Sequence, residues 1–226
     1  MQKTTATVQA DRTYVLLPVR SLLDLRYQIE LATLPKKHQK YVASDLPDGY
    51  FGKEVFAKYT GNIVERIEKG TGLYLYSHLT GTGKSTIACA IALEFIVQRL
   101  KEDYRQGKRT PQLVKFVNIA DFLEDLRKGM NDSDAAQVAI GTTATLKSVP
   151  LLIMDDIGAE KVSEWTRERL LNIISERYDS ERSIIFTSNL APQEIEMMLG
   201  ARVRSRIEGM SVPIEFTGKT DFRRKL

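Results

Sequence analysis

Residues 81 to 86 read Gly-Thr-Gly-Lys-Ser-Thr, between an apolar β-prone run, Leu73 to Ser77, and an apolar helix-prone one, Thr86 to Leu100. A strand that passes through a glycine loop into a helix gathers backbone N–H groups around one point, which suits a polyphosphate. Gly81 and Gly83 permit the tight loop because they lack Cβ. In the pattern G-x-x-x-x-G-K-[ST], the lysine, here Lys84, reaches the β and γ phosphates, and the next hydroxyl, here Ser85, is a ligand for Mg²⁺. The run Gly81, Thr82, Gly83, Lys84, Ser85 and Thr86 is therefore the candidate ATP contact. A glycine-rich turn with a solvated lysine is the competing reading, and it leaves the flanking strand and helix unexplained. The first glycine of the pattern falls on His78, and histidine tolerates a left-handed backbone better than most residues. With the only other histidine, His38, far away in sequence, His78 is expected to fill the turn rather than to do metal or acid–base chemistry.

An ATPase site also needs a carboxylate for the metal and another for the attacking water. Leu151-Leu152-Ile153-Met154-Asp155-Asp156 supplies both. Four apolar residues in a row read as a parallel strand covered on both faces, and acids at its C-terminal end would face the nucleotide crevice. Asp155 is assigned to Mg²⁺ and Asp156 to polarising water, because adjacent acids at one strand end have little structural use without a cation or substrate. A helix N-cap at Asp156 is the alternative. Another apolar strand, Ser183 to Phe186, ends in Thr187-Ser188-Asn189, where Asn189 could orient the water or touch the γ phosphate. Strands also end in Ser and Asn for turn chemistry alone.

The remaining pattern is α/β. Tyr14 to Leu17 is β-like, and Leu22 to Thr33 has helical spacing. Leu34 to Lys37 and Leu46 to Gly49 are turn signals, and an amphipathic helix is expected over Lys53 to Lys69. Val114 to Asn118 reads as a strand, Asp121 to Gly129 as a helix, Asn131 to Thr145 as an inserted helix or loop, and Ser163 to Tyr178 as a helix. Val212 to Phe216 reads as the last strand. Five strands interleaved with helices predict a P-loop NTPase with a central parallel five-stranded sheet flanked by helices. Residues 1–45 are expected to be a short N-terminal arm and 46–226 the ATPase domain. No apolar run approaches bilayer length and Met1 to Thr5 lacks the core of a secretion signal, so a cytoplasmic protein with no membrane partner is expected. The single cysteine, Cys89, falls in the apolar helix and reads as a small core residue.

Charge is unevenly placed. The chain carries 33 basic and 29 acidic residues, a balance of +4, and Gly200 to Leu226 alone holds seven basic and three acidic ones, also +4. Arg202-Val203-Arg204-Ser205-Arg206 and Arg223-Arg224-Lys225 stand out. A solvated basic helix and a frayed tail would explain them, and that reading is kept for Arg204 and Arg224. Beside a phosphate site, the others suit an arginine presented to a neighbouring subunit's γ phosphate or a nucleic-acid backbone.

Leu151 to Glu160, the helix opening Glu164 to Glu168, the strand end Ile185 to Asn189, and Leu199 to Arg206 together resemble the AAA+ (ASCE) ATPase module of bacterial and phage replicative helicase loaders, the DnaC/DnaI type. The likeness runs from about Leu34 to the C-terminus. It implies that Lys84 and Ser85 bind ATP and Mg²⁺, that Asp155 and Asp156 form the Walker B pair, and that Asn189 is the first sensor. It further implies that Arg202 is an arginine finger acting on an adjacent protomer and that Arg223, after Phe222, is the second sensor; Arg206 matches another basic position. Little or no C-terminal lid domain is expected. Members of this family generally carry a separate N-terminal domain that grips the helicase. Here that contact is expected of the arm around Leu16 to Leu34 or of the module's own surface.

Three functions follow. The chain could be an ATP-dependent helicase loader that assembles as a homo-oligomer, binds single-stranded DNA near Lys128 and the 121–145 segment, and engages a replicative DNA helicase hexamer. It could be a transposition helper of the IstB type acting on duplex DNA with a transposase. It could also be a non-hydrolysing module that holds ATP as a structural ligand and occupies a helicase surface.

Overall fold

The computed structural model describes residues 5–10, 13–39, 51–109, 111–159 and 163–217. At the centre lies a parallel sheet of β3 (Gly72–Tyr76), β4 (Val114–Asn118), β5 (Leu151–Asp155), β6 (Ser183–Ser188) and β7 (Ser211–Glu215), in the order β4-β5-β6-β3-β7. Successive side chains of a strand point to opposite faces, so an unbroken apolar run feeds two cores. In β5, Leu151 and Ile153 join one core while Leu152 and Met154 join the other. Ile185 of β6 likewise faces away from Ile184 and Phe186. Pro213 is accommodated in β7 because, among the described residues, that strand pairs with β3 alone and needs no second ladder.

The first face is covered by α1 (Val19–Ala32), α2 (Phe51–Thr60), α3 (Ile63–Glu68) and α4 (Lys84–Gln106). Helix α4 is apolar almost all round for its first three turns, as a helix pressed between sheet and neighbouring helices must be. It stops at Gly107, whose φ of 64° lets Lys108 N–H reach back to the Asp103 carbonyl at 2.9 Å. The second face carries α5 (Ile119–Lys128), α6 (Ser133–Ser148), α7 (Glu164–Asp179), α8 (Pro192–Leu199) and α9 (Ala201–Met210). Ahead of α1, β1 (Thr5–Ala10) and β2 (Thr13–Pro18) form an antiparallel hairpin.

Helix α1 is docked rather than free. Leu25, Ala32 and Leu34 are buried in the first core, Gln28 Nε2 donates to the Pro111 carbonyl at 3.2 Å, and Thr33 Oγ1 donates to the Phe116 carbonyl at 2.9 Å. The single helix expected over Lys53 to Lys69 is two, α2 and α3, separated at Gly61 and Asn62. Glycine is a poor helix interior and Asn62 leaves helical geometry at φ −132°, which resolves the break. Of the two alternatives for residues 131–145, inserted helix or loop, the structure shows helix α6, opened by Asp132, whose carboxylate accepts from the N–H groups of Asp134 and Ala135. The turn expected at residues 46–49 lies outside the described residues. Among the described residues no helix is long and apolar enough to cross a membrane.

The second face also holds a fully buried guanidinium. Arg177 Nη1 donates to the Leu146 and Val149 carbonyls, both at 2.8 Å, and Nη2 to those of Pro150 at 3.1 Å and Ser183 at 2.7 Å. Burial and neighbouring Arg182 pull its pKa down to about 9, which leaves it charged at neutral pH. It therefore ties the end of α6 and the start of β5 to the start of β6. Arg177→Ala is expected to destabilise the fold by about 3–5 kcal/mol, because buried carbonyls lose their donors and a cavity opens. Urea unfolding checks this: an unchanged m-value with a midpoint shift under about 1 kcal/mol would mean the carbonyls are satisfied without it.

Candidate functional site

The C-terminal ends of β3, β5 and β6 lie side by side, and the chemistry is gathered there. Ser77 closes β3: its N–H donates to the Ser188 carbonyl and its hydroxyl to the Phe216 carbonyl at 2.7 Å, which fixes the root of the glycine loop. Gly81 and Gly83 have φ of 76° and 86°, left-handed values that L side chains resist, and α4 starts at Lys84 immediately after. His78 is absent from the left-handed residues, so the loop closes without the conformation expected of it; instead its half-exposed ring stands 3.6 Å from Glu194 of α8.

Lys84 is buried, and its ammonium, with three N–H donors, lies within hydrogen-bond distance of four oxygens: the carbonyls of Ser77 at 3.5 Å and Leu79 at 3.2 Å, Thr82 Oγ1 at 3.4 Å and, best placed, Asn189 Oδ1 at 3.0 Å. The other end of the same carboxamide, Asn189 Nδ2, donates to Asp156 Oδ1 at 2.9 Å. The amide orientation follows from charge: oxygen must face the ammonium and NH₂ the carboxylate. Asn189 thus couples the loop lysine to the acid assigned to water activation.

On a regular strand Asp155 and Asp156 would point to opposite faces. Asp156 instead has φ of 60°, a left-handed conformation that Asp tolerates better than most residues, just beyond the end of β5. Both acids consequently meet β6. Thr187 Oγ1 donates to Asp155 Oδ1 at 2.7 Å and accepts from the Asp156 N–H at 2.9 Å, so one hydroxyl fixes both. Thr187 carries no role in the sequence-based assignment; its only signal is a hydroxyl one residue before the end of an apolar strand.

Gly81, Thr82, Gly83, Lys84, Ser85, Thr86, Asp155, Asp156 and Asn189 are accordingly brought to one place. Arg202 stands elsewhere, exposed on the first turn of α9, where its side chain makes no hydrogen bond or ion pair to another described residue. Arg204 pairs with Glu196 and Glu208, in keeping with a structural role, and Arg206 Nη1 donates to the Arg202 carbonyl at 3.1 Å. Lys128 is exposed on α5 beside Glu124 and Asp125. Arg223 lies outside the described residues. His38, set aside on sequence distance, is within the site, 3.2 Å from Thr86 Oγ1. Burial lowers its pKa, Lys37 adds to that, and Asp155 opposes both. Cys89 is buried, and burial together with Asp155 raises its thiol, as befits a core residue.

The cradle fits a nucleotide: a left-handed glycine pair, a helix N-terminus and a buried ammonium converge at one strand end, where backbone N–H groups and a cation suit phosphate. Among the described residues no three His, Cys, Asp or Glu side chains converge. A divalent cation at this edge would therefore be of the kind held by one carboxylate, Asp155, and one hydroxyl, Ser85, with phosphate and water completing its shell.

The sequence profile of the IstB-like ATP binding protein family matches residues 64–205. The chain belongs to that family. Those residues span the glycine loop, both acids, Asn189 and Arg202. The chain is similar to the replicative helicase loader DnaI of Bacillus subtilis (strain 168), 27% identical over 164 residues that make up 67% of this chain and 47% of that protein. It is also similar to the replicative helicase loader DnaC of Escherichia coli (strain K12), 25% identical over 144 residues, 64% of this chain and 53% of that protein. It spans about half the length of these relatives. A crystal structure of DnaI superposes with a TM-score of 0.64 at 23% identity, covering 84% of this chain and 94% of that one, so the two chains share this fold.

Thr187→Val keeps the shape and removes the hydroxyl, so it is expected to destabilise by about 1–3 kcal/mol and to cut the gain in nucleotide affinity on adding Mg²⁺ by roughly tenfold, with Thr187→Ser close to wild type. Titration of nucleotide with and without Mg²⁺ reads this; equal Mg²⁺ dependence in the valine variant would show that Asp155 needs no such anchor.

Proposed function

We propose that this chain is an ATP-dependent loader of a replicative DNA helicase, working in the cytoplasm through an ATPase module that assembles with copies of itself on single-stranded DNA. The observation that carries the reading is the chain Lys84–Asn189–Asp156, in which a phosphate-binding ammonium and a water-activating carboxylate share one amide. Family membership and likeness to two helicase loaders supply the choice of partner.

Hydrolysis is derived from these residues. Lys84 and the loop N–H groups hold the β and γ phosphates of ATP. Mg²⁺, held by Ser85 and Asp155, would neutralise the phosphate oxygens. Asp156 accepts a proton from a water whose oxygen attacks the γ phosphorus, and the bond to the bridging oxygen breaks to give ADP and phosphate. Asn189 keeps Asp156 aimed at that water and registers the γ phosphate through Lys84. Arg202, exposed on α9, stabilises the developing charge at a neighbour's site. Arg223 is assigned to the γ phosphate within its own subunit.

Lys84→Ala is expected to abolish ATP binding. Asp156→Asn, which keeps the left-handed backbone because Asn tolerates it equally, should bind ATP and lose turnover by about 10² or more. Arg202→Ala should bind normally as an isolated subunit and lose about 10³–10⁵ in rate when assembled. Normal hydrolysis by assembled Arg202→Ala protein would remove the arginine from the mechanism.

The match to the IstB-like family favours one second reading, a transposition helper acting on duplex DNA. Native mass spectrometry of the chain with the replicative helicase of its source cell, in ATP and in ADP, separates the two. A complex whose population changes with nucleotide is expected of a loader, together with a preference for single-stranded DNA that weakens with salt. No complex in either nucleotide, with a preference for duplex, would transfer the assignment to the transposition helper.

A further inference from the structure

The turn at residues 35–39 is held at both ends. On one side Leu34 and Ala32 are buried in the first core, and the Leu34 carbonyl accepts from Gln39 Nε2 at 2.7 Å. On the other, His38 Nδ1 meets Thr86 Oγ1 at 3.2 Å in the first turn of α4, where the candidate phosphate contacts lie. Lys37 and Asp155 both act on the His38 ring electrostatically, so the turn stands beside the metal-binding acid as well as the phosphate loop. A segment that precedes the family-matched region thus reaches into the nucleotide site.

A threonine hydroxyl has one proton and can accept two hydrogen bonds. If Thr86 donates that proton to His38, it has none for a phosphate, whose oxygens only accept. If His38 Nδ1–H donates to Thr86 Oγ1, the hydroxyl proton is available to phosphate. Burial and Lys37 favour the neutral imidazole, which carries a single N–H, so which nitrogen bears it decides between the two arrangements. A bound phosphate oxygen selects the second.

We propose that His38 is a positioning residue of the nucleotide site: its Nδ1–H donates to Thr86 Oγ1, which directs the Thr86 hydroxyl to a nucleotide phosphate and ties the 35–39 turn to α4 when nucleotide is bound. The inference rests on the reading that Gly81 to Thr86 hold a polyphosphate. It goes beyond that reading in assigning a role to a residue outside the motif and in linking nucleotide occupancy to helix α1. Linkage is reciprocal, so the factor by which the turn tightens the nucleotide is the factor by which the nucleotide tightens the turn.

The test uses the whole chain and ADP, with affinity measured by calorimetry and protection of residues 22–39 by hydrogen exchange, for wild type, His38→Ala, His38→Asn, Thr86→Val, the double variant His38→Ala/Thr86→Val and Lys84→Ala. Loss of one net hydrogen bond predicts ADP binding about 3–10-fold weaker in His38→Ala. His38→Asn, whose carboxamide N–H can stand in for Nδ1–H, should recover most of that loss. The double variant should bind no more weakly than Thr86→Val, and ADP should slow exchange over 35–39 in wild type and in His38→Asn but not in His38→Ala. A merely structural histidine would shift exchange with and without ADP alike and would not be rescued by asparagine. Wild-type affinity in His38→Ala, or losses that add in the double variant, overturns the proposal while leaving the nucleotide reading intact if Lys84→Ala still abolishes binding. ADP binding that is absent in wild type, or unaffected by Lys84→Ala, overturns that reading and this proposal together.

Discussion

An ammonium and a carboxylate withdrawn from water each need compensation, and at this sheet edge one carboxamide serves both. Asn189 accepts from Lys84 and donates to Asp156, so one side chain bridges the two charges. The amide fixes the position of the lysine relative to the acid, and fixed charges of this kind are the electrostatic preorganisation that phosphoryl transfer depends on. Both Lys84 and Asn189 are in turn placed by the sheet: β3 leads into the glycine loop and β6 ends at Asn189, and the two strands are hydrogen-bonded neighbours.

The local irregularities make sense around that contact. A positive φ at Asp156 is unfavourable for most residues, and here it turns two consecutive acids toward the same neighbouring strand. Thr187 compensates by accepting the Asp156 N–H that a regular ladder would have engaged, and its proton goes to Asp155. One β6 hydroxyl and one β6-terminal amide therefore sort two chemically identical acids into two environments, Asp155 against the Thr187 hydroxyl and Asp156 against the amide that also meets the lysine. Separate surroundings are what allow adjacent carboxylates to take different roles.

With the site in view, the limits of the sequence are physical ones. The central strands were legible because parallel strands buried on both faces must be continuously apolar, and Leu151 to Met154 and Ile184 to Phe186 are. The phosphate loop was legible because its glycines, lysine and hydroxyl are neighbours in the chain. What escaped was set by contact across the chain. His38 and Thr86 are 48 residues apart, and Thr187 is 32 from Asp155; no periodicity connects either pair. Arg177 sat among charged residues of a helix with a solvated face, and only the carbonyl ends converging from α6, β5 and β6 make it a core residue. The helix expected over Lys53 to Lys69 failed at Gly61-Asn62 because amphipathic spacing continues smoothly through a residue pair that the backbone does not.

The chain beyond Asn189 gives the site a route outward. Leu190 N–H donates to Ser188 Oγ, the Leu190 carbonyl accepts from Tyr74 of β3, and Ala191 N–H is received by Glu194, so the step from β6 into α8 is pinned residue by residue. Glu194 also stands beside His78 of the glycine loop, which brings both sides of the phosphate site to the N-terminus of one short helix. That helix passes through Gly200, at φ 90°, into α9, and Arg204 of α9 pairs back to Glu196 of α8. The pair α8 and α9 is held as a unit, because their shared ion pair and buried Leu199, Val203 and Ile207 resist bending between them. Arg202 rides on the first turn of the second of these helices with its side chain exposed, so the packing of α8 against α9 sets where that guanidinium is presented.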